Sequence, residues 1–273
     1  MQTPVLMLAA FLTASVGTLG GLGGAILLVP LLVSTGMSPA EAAPLGLLSV
    51  VVGSSAAAQR QMTAHTTNHR LGVVTESAST AGAILGALVA GSISAKALTL
   101  VLAAVALGAA VAGGRRKGIR WKPDEAAPSS VVGEWVGTMN GAYSLDGSVV
   151  PYATRRLGTG LAVMGLSGVV TGLSGVGGGF MKTPASSELM HAPVKVASST
   201  TTFSIGITAA AALMVKAAHG DLQVHLGAAV LIGALAGGRA GSVVQTHMSP
   251  PAIRRFLSVV LIVVAGILIA RAL

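Results

Sequence analysis

The chain has 273 residues, of which 52% are hydrophobic and 9% are charged, with a formal net charge of +9 and no cysteine. Soluble globular proteins carry about 25% charged residues, so this composition excludes a soluble globular protein and predicts one that is solvated by lipid. The absence of cysteine excludes disulfides and thiolate metal sites, and no cofactor is expected.

Apolar segments of the length that spans a bilayer, about 20 residues, recur along the chain. Because lipid offers backbone groups no partners and no strand-like alternation is visible, we predict that these segments are helices. The predicted fold class is an all-α polytopic membrane protein. The segments cover residues 4–33, 40–59, 71–91, 97–113, 158–183, 193–217, 224–245 and 252–271.

The first segment contains a glycine cluster, with Gly20, Gly21, Gly23 and Gly24 in its middle. Each glycine costs about 1 kcal/mol relative to alanine in a helix interior, so the cluster predicts a break. The segment then forms either two half-helices or a re-entrant hairpin, and its non-helical backbone faces protein or a wet cavity.

The same pattern returns in the second half of the chain at a constant spacing, which aligns Gly23 with Gly177 and Pro30 with Pro184. An internal duplication with a broken helix in each half is typical of secondary transporters. We therefore predict two pseudo-symmetric repeats of four segments. The predicted domains are an N-terminal repeat at residues 1–113, a basic linker at 114–157 and a C-terminal repeat at 158–273.

A dense group of Lys and Arg residues lies between positions 115 and 156. Basic residues collect in cytoplasmic loops of membrane proteins, which explains this group better than nucleic-acid binding. If segments 4–33 and 158–183 re-enter the membrane without crossing it, the Lys and Arg residues are distributed most unequally between the two sides of the membrane. This topology is therefore favoured. It leaves three crossings in each repeat, which makes the repeats inverted and places both termini outside. We expect a multi-pass protein of the bacterial inner membrane. The middle of the linker, 131–150, is expected to form a surface helix or a hairpin.

The glycine clusters are the first candidate site. A broken helix exposes backbone N–H groups, and a helix N-terminus carries a partial positive charge that favours anions. Two such ends that meet near the midplane would form an anion site. Close helix packing is the alternative, since Gly20 and Gly24 also form a G-xxx-G pair. The predicted substrate-binding residues here are Gly21, Gly23, Gly24, Ser174, Gly175, Gly177 and Gly178.

Two further features could bind an anion. Lys182 lies one helical turn after the second cluster, where the first half has Leu28, and a cation at that depth is usually functional. The alternative is that its long side chain reaches the interface. Ser199, Thr200 and Thr201 belong to a run of hydroxyls, which suit a desolvated oxyanion or bond to their own or neighbouring helices.

Two carboxylates lie near the starts of predicted helices. Ser38 and Glu41 flank Pro39 in a capping box, which predicts Glu41 at a helix start near the surface. Glu76 lies in the second turn of its segment, where it could carry a coupling proton. Its alternatives are to reach the interface or to pair with Arg70.

The histidines predict no metal site. His65, His69, His219 and His225 are expected in short loops with Asp221, but their spacing matches no recognised ligand pattern. No set of nucleophile, base and orienting group is visible either. We therefore do not expect an enzyme.

Residues 20–30 read G-G-L-G-G-A-I-L-L-V-P and residues 174–184 read S-G-V-G-G-G-F-M-K-T-P, and each is followed by a proline that starts a helix, Pro39 or Pro193. On these motifs the chain resembles the sulfite exporter TauE/SafE family in both halves, without the linker. The resemblance implies an inner-membrane transporter of small sulfur-containing anions, such as sulfite, sulfonates or sulfoacetate, often moved outward.

The chain departs from that family pattern in two places. Ala25 and Ile26 stand where the pattern prefers Gly-Phe, and Lys182 replaces an aliphatic residue, which points to a different or more highly charged anion.

The function predicted from residues and resemblance together is that of a secondary carrier that exports small sulfur anions by alternating access. The alternatives are a carrier or channel for another small anion such as a carboxylate, and a membrane scaffold that transports nothing. The expected partners are a small anionic solute and the lipid bilayer, with a homodimer left open.

Overall fold

A computed structural model of the protein shows a mostly helical chain with one small antiparallel sheet. The predicted segments 97–113 and 252–271 and the first part of the linker lie largely outside the residues that it describes. Those residues are 3–63, 65–94, 96–98, 132–145 and 148–247, with single positions within 100–107 and 259–266.

Helices occupy the places that the apolar segments predict. Within the described residues, 5 of them are long and apolar enough to cross a membrane, and Leu8, Leu88 and Met214 keep large apolar side chains exposed, as lipid-facing surfaces do. The predicted class of an all-α polytopic membrane protein is confirmed. The helices are α1 (Thr3–Leu19), α2 (Ala25–Ser34), α3 (Pro39–Thr63), α4 (His69–Ala90), α5 (Leu157–Ser174), α6 (Gly179–Pro184), α7 (Val194–Ala218) and α8 (Val224–His247).

The first predicted segment is broken at its glycines, and the chain turns back on itself there. α1 ends at Leu19 and α2 begins at Ala25. A Cβ added to Gly24 would lie 2.7 Å from the Cα of Ala14. In a continuous helix these two residues would be about 15 Å apart, at 1.5 Å per residue, so α1 and α2 form a helical hairpin.

The second half contains a matching hairpin. α5 ends at Ser174 and α6 begins at Gly179. The Ser167 hydroxyl donates a hydrogen bond of 2.9 Å to the carbonyl of Gly178, which places the start of α6 beside the last turns of α5. A π-helical turn, Ala185–Leu189, continues α6.

Each hairpin packs against a long helix of the other half, α1 along α8 and α5 along α4. Glycines along one helix meet residues of its partner in the same order, so the two helices of each pair run parallel. Such small residues let helix backbones approach closely in membranes. The contacts are Gly233 with Met7, Gly237 with Phe11 and Gly241 with Ser15 in the first pair, and Gly168 with Ser79 and Gly172 with Ala83 in the second.

α3 and α7 cross at the centre of the bundle and run in opposite directions. A Cβ added to Gly206 in the middle of α7 would lie 2.8 Å from the hydroxyl of Ser54 in α3. Thr66, beyond the end of α3, donates a hydrogen bond of 2.9 Å to Ser199 near the start of α7. Opposite directions for the two helices that the predicted repeats align are what inverted repeats require, and the repeats themselves stay a prediction.

The second part of the linker forms a three-stranded antiparallel sheet of β1 (Gly133–Glu134), β2 (Gly141–Leu145) and β3 (Ser148–Tyr152). This is the hairpin alternative of the sequence prediction. The sheet docks at the start of α4, where the Asn68 side-chain amide donates a hydrogen bond of 2.9 Å to the Tyr152 hydroxyl. Burial raises the pKa of Tyr152 to about 12, so the hydroxyl stays protonated at neutral pH.

Candidate functional site

The two glycine breaks meet at the middle of α3. A Cβ added at Gly23 would lie 3.1 Å from Cγ2 of Val50, and one added at Gly177 would lie 3.0 Å from the same methyl group. The two glycines have φ values of 77° and 78°, a conformation that glycine adopts at no steric cost. The backbone therefore requires glycine at both matched positions, and a single valine contacts both breaks.

The breaks also contact each other. A Cβ added at Gly179 would lie 2.5 Å from the carbonyl oxygen of Gly21. The Thr183 hydroxyl donates a hydrogen bond of 3.5 Å to the same oxygen. Residues 21–24 and 174–179 are all buried, so this conformation is closed at both breaks.

The half-helices α2 and α6 begin at the breaks with backbone donors that have no acceptor within the described part of the chain. The first N–H groups of a helix lack intrahelical acceptors. Among the described residues, none accepts a hydrogen bond from the N–H groups of Gly23, Gly24, Gly177 or Gly178. The fully buried hydroxyl of Ser49 also lacks a partner there and lies 2.9 Å from the Cβ position of Gly24. Free donors of this kind are what an oxyanion binds.

The same glycines also serve packing, which was the alternative interpretation. Gly24 lies against Ala14 of α1, and Gly178 lies against Ser167 of α5, in both cases too closely for a side chain. The Ser174 hydroxyl, a predicted substrate contact, donates to a carbonyl of its own helix at 2.6 Å. Close packing and anion binding are therefore compatible functions of one backbone arrangement, and the binding role stays a prediction.

The hydroxyl run at the start of α7 contacts protein groups. Thr66 donates to the hydroxyl of Ser199 at 2.9 Å, and the backbone N–H of Asn68 donates to the hydroxyl of Thr200 at 2.9 Å. Thr201 is buried. These bonds connect α7 to the α3–α4 connection, as the helix-joining alternative describes, and substrate contact by these residues stays a prediction.

Lys182 and Glu76, two of the candidate residues, form an ion pair inside the bundle. Nζ of Lys182 lies 2.9 Å from each carboxylate oxygen of Glu76, and the two side chains are 2% and 3% exposed. The alternatives in which either side chain reaches the interface are therefore wrong. Glu76 does not pair with Arg70 either, because the Arg70 guanidinium donates a hydrogen bond to the carbonyl of Trp135 and the Arg70 backbone N–H donates to the Glu134 carboxylate.

Thr208 of α7 completes this pair and was not among the candidate residues. Its backbone N–H donates to Oε1 of Glu76 at 3.0 Å, and its hydroxyl bonds to the same oxygen. The hydroxyl also accepts a hydrogen bond of 2.8 Å from Lys182. A signal was present in the sequence, because Thr208 lies one helical turn after Ser204, on the same helix face.

The network of Lys182, Glu76 and Thr208 joins α6, α4 and α7 in the apolar interior. Moving two charges out of water costs several kcal/mol per ion, which is offset only by good geometry and complete hydrogen bonding. Both oxygens of Glu76 have donors here. The pair is therefore compensated, and in this conformation the charge of Lys182 is satisfied by Glu76. Binding of substrate by Lys182 and proton coupling by Glu76 stay predictions.

Glu41 lies where the capping box predicts. The backbone N–H of Ser38 donates to the Glu41 carboxylate at 3.1 Å, and the N–H of Glu41 donates to the Ser38 hydroxyl at 3.3 Å. α3 begins at Pro39, and Glu41 is exposed. The capping box is confirmed, and Glu41 is not an intramembrane acid.

The histidines lie at the ends of helices. His69 is the first residue of α4 and His225 lies in the first turn of α8, so their expected place in loops is wrong. His65 and His219 do lie in connections. In the part of the chain that the structure describes, no group of three or more His, Asp or Glu residues could hold a metal ion.

Comparison with known protein families gives a match over almost the whole chain. A family model described as Sulfite exporter TauE/SafE matches residues 6–268. No curated protein and no solved structure matches the chain. The matched range includes both glycine breaks and the buried ion pair.

Proposed function

The chain belongs to the sulfite exporter TauE/SafE family, and on that basis we propose that it is a secondary carrier of small sulfur oxyanions. The family makes it a multi-pass membrane protein that transports anions. The proposed substrates are sulfite, sulfonates and sulfoacetate. The proposed direction is outward across a bacterial inner membrane, with the basic linker in the cytoplasm.

The observation that carries this proposal is the meeting of two half-helix starts at one residue. Gly23 and Gly177 both contact Val50, and the N–H groups at these starts have no acceptor among the described residues. Helix N-termini bind anions through such N–H groups and through the helix dipole. An anion between α2 and α6 would be held by backbone groups of both halves, and the hydroxyl of Ser49 would add a donor.

Alternating access is the proposed mechanism, with the two repeats in inverted orientation. A conformation that is closed at both breaks corresponds to an occluded state, in which the substrate site has no access to either aqueous phase. Movement of the α1–α2 hairpin away from α3 would open the site to one side. The equivalent movement of the α5–α6 hairpin would open it to the other side.

Ligand binding by the purified protein tests the substrate class. Thermal melting in detergent would be recorded with sulfite, thiosulfate, methanesulfonate, sulfoacetate, sulfate, acetate and chloride. A ligand that binds the folded state raises the melting temperature by mass action, so we expect a saturable increase with a sulfur oxyanion and none with acetate. No increase with any sulfur anion, in detergent and in lipid nanodiscs, would overturn the sulfur assignment.

Uptake by proteoliposomes separates a carrier from a scaffold. Gly23→Ala places a methyl group against Val50 in a backbone conformation with positive φ and should reduce saturable sulfite uptake. Gly91→Ala is the matched control, because Gly91 has a φ of −65° and open space around it. Wild-type vesicles that take up no more sulfite than protein-free vesicles would support the scaffold alternative.

A further inference from the structure

The ion pair of Lys182 and Glu76 has the geometry of an oxyanion site that the protein fills with its own carboxylate. The ammonium group lies 2.9 Å from both oxygens of Glu76, the backbone N–H of Thr208 lies 3.0 Å from Oε1, and the Thr208 hydroxyl bonds to the same oxygen. All three residues are buried. This set of donors suits the oxygens of a sulfonate or of sulfite as well as those of a carboxylate.

The site is joined directly to both glycine breaks. The backbone N–H of Lys182 donates to the carbonyl of Gly178 at 2.9 Å, so the ammonium group is carried by the half-helix that starts at the second break. The next residue, Thr183, bonds to the carbonyl of Gly21 in the first break. A movement of α6 that opens the breaks therefore also moves Lys182 relative to Glu76, which is on α4.

An external anion cannot join Lys182 while Glu76 remains ionised. The site would then hold two negative charges and one positive charge away from water, and an uncompensated buried charge is strongly unfavourable. We propose that the substrate anion replaces Glu76 at Lys182 and Thr208, and that a proton taken up by Glu76 accompanies each anion. This inference rests on the proposed function and adds the coupling ion to it.

The exchange conserves protons and charge. In the closed state the Glu76 carboxylate binds the Lys182 ammonium group, and the site has no net charge. When an anion and a proton enter, the proton forms the O–H bond of a neutral Glu76 carboxylic acid, and the anion takes the place of the carboxylate. On the other side the anion leaves, Glu76 releases its proton and rebinds Lys182. A monovalent anion is therefore moved without net movement of charge.

The ionisable groups nearest to the pair along α4 and α7 lie several residues away. α5 carries none. Arg70 lies about 9 Å from Glu76 along α4, and Lys216 lies about 12 Å from Thr208 along α7, at 1.5 Å per residue. The ionisable residues of the elements packed around the pair are His69 and Arg70 on α4, Glu188 on the π-helical turn, Lys195 and Lys216 on α7, and Glu41 and Arg60 near the ends of α3.

Proteoliposomes of the full chain test the coupling, with methanesulfonate as the probe. A sulfonate keeps its single charge across the neutral pH range, so the probe cannot carry the proton itself. With the potential clamped at zero by potassium and valinomycin, we expect an inward proton gradient to drive sulfonate accumulation. A pH-sensitive dye inside the vesicles should report about one proton per sulfonate, and a potential without a proton gradient should drive none.

Glu76→Gln removes the titrating group and should abolish proton movement, so that any remaining sulfonate uptake follows the potential. Lys216→Met is the matched control, because Lys216 is a second buried lysine, 4% exposed, on α7; it should keep the wild-type proton-to-sulfonate ratio.

If Glu76→Gln does not fold, the proton-to-sulfonate ratio of the wild-type protein decides alone, since an ion pair with a purely structural role moves no protons. Wild-type uptake that follows the potential and carries no protons overturns the coupling and leaves the proposed function in place. Absence of uptake of methanesulfonate and of the other proposed sulfur anions overturns both.

Discussion

The first and second glycine breaks can be compared residue by residue. Gly23 and Gly177 have nearly equal φ values of 77° and 78° and share a methyl group of Val50 as neighbour. The half-helices that follow them differ. α2 is uncharged and has the fully buried Leu28 at the position where α6 has Lys182, which is paired with Glu76.

This difference shows which feature a carrier with two similar halves needs in both halves and which feature it needs in only one. Both halves need the same turn, because the start of each half-helix must face the centre of the bundle. Under the proposed coupling a buried charge pair is needed only once, since a single carboxylate is enough to bind one proton for each anion. The comparison therefore predicts that backbone changes act alike in the two halves and that side-chain changes do not.

The largest expected difference between the halves is in stability. Lys182→Met leaves the Glu76 carboxylate buried without its partner, which should cost about 3–5 kcal/mol. Leu28→Met, at the matched position of α2, exchanges two apolar side chains of similar volume and should cost less than about 1.5 kcal/mol. Thermal and denaturant unfolding in detergent would measure both, and equal losses would contradict the asymmetry.

Removal of both charges should restore most of that loss. Replacement of a whole buried ion pair by apolar residues is often neutral or stabilising, so Glu76→Leu combined with Lys182→Met should be far more stable than either single variant. A double-mutant cycle measures the interaction. The double variant should fold without coupling protons, and simple addition of the single losses would show that the pair does not act as a unit.

Backbone changes at the two breaks should have equal and smaller effects. Gly23→Ala and Gly177→Ala each force a left-handed conformation on alanine, at about 1–2 kcal/mol, with the Val50 methyl at a similar distance in both cases. Gly91→Ala, in an ordinary helical conformation, should be neutral or stabilising by up to about 1 kcal/mol. Melting of the three variants side by side is the measurement, and clearly unequal losses at Gly23 and Gly177 would break the symmetry of the turns.

The smallest expected effect on stability is that of Ser49→Ala at the first break. The buried hydroxyl has no partner among the described residues, and an unsatisfied buried polar group is itself unfavourable, so its removal should cause no loss of stability. A hydrogen bond to a charged ligand contributes about 1.5–3 kcal/mol, so anion affinity should decrease at least about tenfold. Titration of the melting shift with sulfite would measure it, and unchanged affinity would remove Ser49 from the site.

Local features of the fold were predictable from the sequence. Apolar runs of about 20 residues locate membrane helices, and the described helices begin and end close to the predicted segments. The capping box at Ser38 and Glu41 was predicted correctly because both of its partners lie within one turn. The glycine clusters located the breaks, but the choice between half-helices and a hairpin stayed open, because the return of the chain depends on what packs beside it.

The candidate site was predictable only in part. Lys182 and Glu76 were both singled out, each as an intramembrane charge without a known partner. They are 106 positions apart in sequence, and no periodic pattern connects a residue of α4 with one of α6. The hydroxyls of Ser199 and Thr200 were named for their chemistry, whereas Thr208, which does contact the ion pair, lies outside the run that drew attention.

By itself the sequence determined that the protein lies in a membrane and where each first segment breaks, and it predicted that the two halves are related. These properties follow from composition and from short patterns, which act within a few residues. The tertiary structure alone decided which charges meet, that both breaks converge on Val50 and that the α7 hydroxyls bind the α3–α4 connection. The physical reason is that burial requires every charge and donor to find a partner, but only the arrangement of the helices decides which partner is within reach.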